Sequence, residues 1–88
     1  MSMKEIFLDG KMLQRSEEGH IYLMKKFNFP AYYGENLDAL YDLLTEIGEA
    51  LEIYIENAEM MDSRIKRVFE DAVLDNECLV LNFSKINN

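Results

Sequence analysis

The six residues Leu51-Glu52-Ile53-Tyr54-Ile55-Glu56 decide the fold. Apolar and polar or amphipathic side chains alternate without a break, the period of a strand with one buried face and one wetter face. On both sides the pattern becomes helical. Upstream, Asn36 is placed to cap a helix whose inward stripe is Leu37, Leu40, Leu44 and Ile47, with Gly48 as its stop. Downstream, Asp62 or Ser63 caps a helix carrying Ile65, Val68, Phe69, Ala72 and Val73, the cleanest helical stripe in the chain.

Further out, Glu5-Ile6-Phe7-Leu8 reads as a first strand closed by Asp9-Gly10. Ser16, followed by Glu17 and Glu18, is placed to cap a first helix with His20, Leu23, Met24 and Phe27 on its apolar side, Lys25-Lys26 near its end, and Pro30 as its stop. A short helical turn is weakly signalled near Ala58–Met61, and Cys78-Leu79-Val80-Leu81 reads as a last apolar strand. The order is β, α, α, β, α, β. Long helical connections between strands imply parallel pairing with right-handed crossovers. The expected fold is α/β: two layers, a three-stranded parallel sheet packed with three to four helices, forming one domain over residues 1–88.

The 88 residues carry a formal charge of −8. That sign disfavours nucleic acid and anionic lipid, and favours a basic protein as partner. Lys25-Lys26 and Arg64-Lys66-Arg67 are too small to form a nucleic-acid patch. The start, Met1-Ser2-Met3-Lys4-Glu5-Ile6, has no long apolar run, so neither a secretory signal nor a membrane span is expected and the reading is cytoplasmic. One cysteine, Cys78, cannot staple a fold, and as the start of a buried strand it reads as inert. No Cys/His cluster suits zinc, the six methionines read as gap-filling or surface residues, and no cofactor is expected. His20 shares the apolar stripe of its helix, which favours a packed, hydrogen-bonded histidine over a general base.

Charge is unevenly distributed. Residues 27–63 contain no lysine or arginine but hold nine acids: Glu35, Asp38, Asp42, Glu46, Glu49, Glu52, Glu56, Glu59 and Asp62. Asp38, Asp42 and Glu46 follow at intervals of four on the second helix, with Tyr41 and Thr45 on the same outward side. Like charges at that spacing cost roughly 0.2–0.5 kcal/mol per pair, and only Asp38 is close enough to the helix start for the dipole to offset it. A solvated acidic face accounts for this spacing; so does a surface made for a cationic partner. Tyr32 and Tyr33, in the loop before the helix, shift the balance toward the second, because tyrosine gives rigid contact area with a polar tip. Packing of one of the two into the core is the other reading, and composition does not separate them. Gly34 is expected to let the loop turn tightly. Asp38 and Asp42 make a poor catalytic or metal pair, since both lie exposed on one helix face with no further ligands at loop spacing.

The run Pro30 to Thr45, above all Tyr32-Tyr33-Gly34-Glu35-Asn36-Leu37-Asp38-Ala39-Leu40, closely resembles the signature segment of the barstar family, small intracellular inhibitors of barnase-type, guanyl-preferring ribonucleases. Weaker similarity covers nearly the whole chain, through Asp9-Gly10, His20, Val68-Phe69 and the closing apolar strand. The resemblance implies a non-enzymatic protein, monomeric when free, that plugs the active site of a basic secreted ribonuclease. Asp42 would be the central carboxylate, entering the pocket for substrate phosphate. Asp38 would pair with a neighbouring cation, and Tyr32 would pack on the enzyme's rim. Asn36, Gly34, Tyr41 and Thr45 would add hydrogen bonds and contact area, with Asp71 a peripheral acidic contact. Three positions depart from the family's habit: Tyr41 stands where tryptophan is often found, Asp71 where glutamate is familiar, and Ile47 in place of a bulky aromatic. A second expectation keeps the fold but directs it, antitoxin-like, at a different basic protein or nuclease toxin.

Overall fold

Leu51–Glu56 forms the middle strand of the sheet (β2), between Lys4–Asp9 (β1) and Leu79–Ser84 (β3), and both pairings are parallel. The computed structural model describes residues 3–84. Met1 and Ser2, at the head of the stretch read for a leader, lie outside the described residues. The described residues also form three α-helices: α1 (Ser16–Phe27), α2 (Leu37–Thr45) and α3 (Ser63–Asp75). Two 3-10 turns, Gly10–Leu13 and Ala58–Met60, follow β1 and β2. Among the described residues no helix is long and apolar enough to cross a membrane.

The strand order β1-β2-β3 follows the sequence. Two crossovers of the same hand that step in the same direction place all helices on one side of the sheet, hence two layers. Burial agrees. Leu51, Ile53 and Ile55 point inward and are buried, and register sets Ile6, Ile53 and Leu81 in one row and Leu8, Ile55 and Phe83 in the next. Leu40 and Leu44 of α2 and Ile65, Phe69 and Ala72 of α3 fill the same core. Each fully buried Leu, Ile or Phe contributes about 1.5–3 kcal/mol. The opposite face is left open. There Phe7 stacks on Tyr54, ring centroids 4.9 Å apart, and Asn82 Nδ2 donates to Glu52 Oε2 at 2.8 Å.

Several element ends differ from the sequence expectation. Ser16 is the first helical residue of α1; Arg15 occupies the cap position, with no side-chain cap bond. Asn28, at φ 56°, ends the same helix in the left-handed conformation, and Pro30 lies beyond it. α2 stops at Thr45, leaving Ile47 outside the helix though packed against the core, and Gly48 in open space with no positive φ. Cys78 sits in the turn before β3, half-buried, and β3 alternates: Leu79 is buried while Val80 is exposed. Asp62, not Ser63, caps α3, its Oδ1 accepting from the Arg64 N–H at 2.8 Å and the Ile65 N–H at 3.4 Å.

Candidate functional site

A β-turn settles which tyrosine enters the core. The Tyr33 N–H donates to the Pro30 carbonyl at 2.9 Å, which puts Ala31 and Tyr32 at the tip of the turn. Tyr32 is therefore 79% exposed and Tyr33 only 5%. Inside, Tyr33 packs against Phe29, which stacks on Phe27, with ring centroids 5.0 and 5.1 Å apart. Its hydroxyl meets Nδ1 of His20 on α1. Burial pushes the Tyr33 phenol up to about 12 and lowers the His20 imidazole, against the pull of Glu35 and Asp62. His20 is 1% exposed and its Nε2 has no polar partner; an unmet buried group of this kind costs about 1–3 kcal/mol.

The loop then enters α2 through Glu35, not Gly34. Glu35 takes the left-handed conformation at φ 54°, whereas Gly34 has no positive φ. What Gly34 supplies is room, because a Cβ there would stand 3.0 Å from Asn36 Nδ2. Asn36 caps the helix as expected: Oδ1 accepts from the Ala39 N–H at 2.8 Å, and Nδ2 donates to the Gly34 carbonyl at 3.3 Å. Both polar ends of Asn36 thus hold the loop, which leaves less of it for a partner than the sequence suggested.

On α2, Asp38 and Asp42 are both exposed, and no side chain among the described residues pairs with either carboxylate. Asp42 borders a shallow groove of about 190 Å³ together with Tyr32, Gly34, Leu43 and Glu46. Three expected site residues, Tyr32, Gly34 and Asp42, therefore share one concavity. Thr45 is half-buried, and its hydroxyl donates within the helix to the carbonyls of Tyr41 at 2.9 Å and Asp42 at 3.0 Å. It retains only its acceptor lone pairs for another molecule.

Tyr41 departs furthest from a free contact residue. Its hydroxyl donates to Asp75 of α3, a residue the sequence reading did not single out. That bond, with the charges of Asp75, Asp71 and Asp42 nearby, raises the Tyr41 pKa. The phenol is the hub of a carboxylate cluster joining α2 to α3. Asp71 belongs to this cluster and also lies 3.9 Å from Arg67, one turn earlier on its own helix. The same outward face of α3 carries Leu74, 83% exposed. Asp75 stands four residues after Asp71, so the helical period could have pointed to it.

Asn76 was also missed. It is 8% exposed, and its Nδ2 reaches the carbonyls of Leu44 at 3.0 Å, Thr45 at 3.3 Å and Ile47 at 2.9 Å. Leu44 and Thr45 close α2, whose last carbonyls lack full helical partners; that of Leu44 also accepts from the Ile47 N–H at 3.3 Å, and Ile47 lies beyond the helix. Among the described residues no group of three or more His, Cys, Asp or Glu side chains is arranged to hold a metal ion.

Comparison with known proteins places this chain in a family. Residues 3–76 match the family described as Barstar (barnase inhibitor). The chain is 35% identical over 72 residues to a Bacillus subtilis (strain 168) protein named "Putative ribonuclease inhibitor YrdF", covering 81% of this chain and 79% of that one. The chain belongs to the barstar family.

Proposed function

We propose that this protein inhibits a barnase-type, guanyl-preferring ribonuclease by occluding its active site with α2 and the tyrosine turn before it. The observation that carries the reading is the Asp42 carboxylate, exposed and without a pairing side chain among the described residues, beside Tyr32 on the edge of the shared groove. A ribonuclease site is preorganised to stabilise negative charge on phosphate, so a fixed carboxylate can stand in for it and accept charge-assisted hydrogen bonds. Asp38, one helical turn away, meets a neighbouring cation. Tyr32 supplies ring area on the enzyme's rim.

The remaining expected contacts take more specific roles. Tyr41, held by Asp75, offers its ring more than a free donor. Asp71 and Asp75 extend the negative field onto α3. Asn36 and Gly34 shape the loop. No bond is made or broken by the inhibitor, whose task is to arrive quickly and leave slowly. Attraction of the −8 chain to a basic cleft speeds encounter, and desolvated charge pairs slow departure.

The test is titration into a barnase-type ribonuclease assay at low and high salt. Inhibition should be stoichiometric at low salt and weaken as salt screens the exposed charges. Asp42→Ala should weaken it roughly a hundredfold or more, a scale for truncated buried charge pairs that itself rests partly on barnase–barstar complexes. Glu46→Ala should change it much less. Equal losses would mean a diffuse charge effect without phosphate mimicry. Undiminished cleavage in molar excess would redirect the proposal to a different basic protein or nuclease toxin.

A further inference from the structure

His20 is buried, with one ring nitrogen on the Tyr33 hydroxyl and the other unmet among the described residues. A leucine would remove the unmet nitrogen but leave the buried Tyr33 hydroxyl without its partner. What leucine cannot supply is a fixed partner for Tyr33. That residue lies between Tyr32 and Gly34, and contacts lead from it to the start of α2. Its N–H donates to Pro30, the Gly34 carbonyl accepts from Asn36, and Asn36 accepts from the Ala39 N–H. Within this span Glu35 holds φ 54°. A non-glycine residue keeps that conformation only where its surroundings impose it.

We propose that His20 is a positioning residue for the binding loop: through Tyr33 it fixes Tyr32 and the entry to α2 in the conformation that binding a ribonuclease requires. The inference rests on the inhibitor reading above. A loop ordered before encounter loses less conformational freedom on binding, so the gain appears as affinity. The chain keeps a polar group in its core for the sake of its surface.

Inhibition constants and urea midpoints, measured side by side for wild type, His20→Leu, Tyr33→Phe and the double variant, separate positioning from plain stability. His20→Leu should lower the midpoint somewhat, by orphaning the Tyr33 hydroxyl, and weaken inhibition roughly tenfold, about the worth of one hydrogen bond. Tyr33→Phe should weaken it similarly, and the double variant should be no weaker than either single one, because both remove the same contact, while its midpoint, with neither partner orphaned, returns toward wild type. Amide hydrogen exchange of the free proteins should accelerate at Tyr33 and Ala39 in each single variant by a larger factor than at Ile53. Affinity that merely follows the midpoint across the four proteins, or losses that add in the double variant, would overturn the positioning role. A wild type that inhibits no barnase-type ribonuclease would overturn the inhibitor reading instead. Exchange then decides the anchoring by itself, and rates at Tyr33 and Ala39 that rise no more than at Ile53 in both variants would sink it.

Discussion

Replacing Asn76 by alanine should be among the costliest single changes outside the apolar core. The amide has two hydrogens and lies within bonding distance of three carbonyls, at 2.9, 3.0 and 3.3 Å, so one of the bonds is shared. Its Oδ1 accepts a further bond from the Cys78 N–H at 2.9 Å. Three bonds at a net value of about 1 kcal/mol each give a loss of roughly 3 kcal/mol, more if the carbonyls stay dry. Against a total stability of about 5–15 kcal/mol for a domain, that is a large share. With a urea slope of about 1.5 kcal/mol per molar, the midpoint should fall by about 2 M, with the slope unchanged. Asn76→Asp is the sharper control. It keeps the acceptor for Cys78 but turns an anionic oxygen toward the carbonyls. At pH 7 it should be no better than alanine, and near pH 4, compared with wild type at the same pH, it should recover part of the deficit as the acid gains an O–H. A midpoint within about 0.5 M of wild type for Asn76→Ala would refute the reasoning, because it would mean that water satisfies the α2 carbonyls equally well.

Gly10→Ala should cost roughly 3 kcal/mol or prevent folding, as any Cβ there would lie 2.1 Å from the Asn57 carbonyl oxygen, which is backbone and cannot swing aside. Denaturation at ordinary strength would mean that the chain between β2 and α3 yields easily. Acid should lower stability in two steps. His20, faced by Tyr33, Glu35 and Asp62, has a folded pKa below its ordinary 6.5, so the unfolded chain takes the proton first and stability falls as pH drops below about 6.5. Asp9, bonded by Asn57 and the Lys11 N–H, and Asp62, bonded by Arg64, have folded pKa values below 3.8, so their contribution is full above that and lost as pH falls through the folded values. Urea midpoints against pH should lose the first step in His20→Leu and keep the second; persistence of the first would reassign it. Tyr32→Ala should leave stability within about 0.5 kcal/mol, since the ring is 79% exposed, while raising the dissociation rate of the ribonuclease complex. A change confined to association would show that the ring is misassigned.

Readings that depend on neighbours in sequence held up best. The alternation of Leu51–Glu56, the Asn36 cap and the Ile65, Phe69, Ala72 stripe are local patterns, and each appears where the residues put it. The missed features depend on residues far apart. α2 ends at Thr45, where Asn76, about thirty positions later, meets the carbonyls of Leu44 and Thr45, and nothing near Gly48 announces that. Tyr41 is drawn to Asp75 across 34 residues. Glycine at position 34 advertises conformational freedom, yet the positive φ falls on Glu35, because the loop is pinned by Tyr33 on one side and Asn36 on the other. Tyr32 and Tyr33 are identical in chemistry, and only the turn from Pro30 separates them. Spacing placed Asp42 in an acidic column with Asp38 and Glu46, and only the family resemblance singled it out; its freedom from partners among the described residues was not legible.

That freedom is the physical peculiarity of α2. At nine residues it is too short to persist by itself, since isolated helices below about 12–15 residues are marginal. Its charges make matters worse: Asp38 and Asp42 repel at one turn, Glu46 follows at the next, and the last turn holds no basic residue to answer the dipole. The helix is held from elsewhere, by the burial of Leu40 and Leu44, the Asn36 cap, Asn76 at its end and the Tyr41 link to α3. Removing the charge at Asp42 while keeping its shape should therefore help the free protein. Asp42→Asn should raise stability by a few tenths of a kcal/mol, on the order of one relieved i,i+4 repulsion, and more at low salt than at high. The same change should weaken ribonuclease inhibition severely, because a neutral amide answers the cations of a phosphate pocket poorly. Opposite signs in the two assays are expected of a residue placed for a partner at the expense of its own chain. If Asp42→Asn destabilises the free protein, the carboxylate serves an internal contact, and its assignment to a phosphate pocket loses its physical basis.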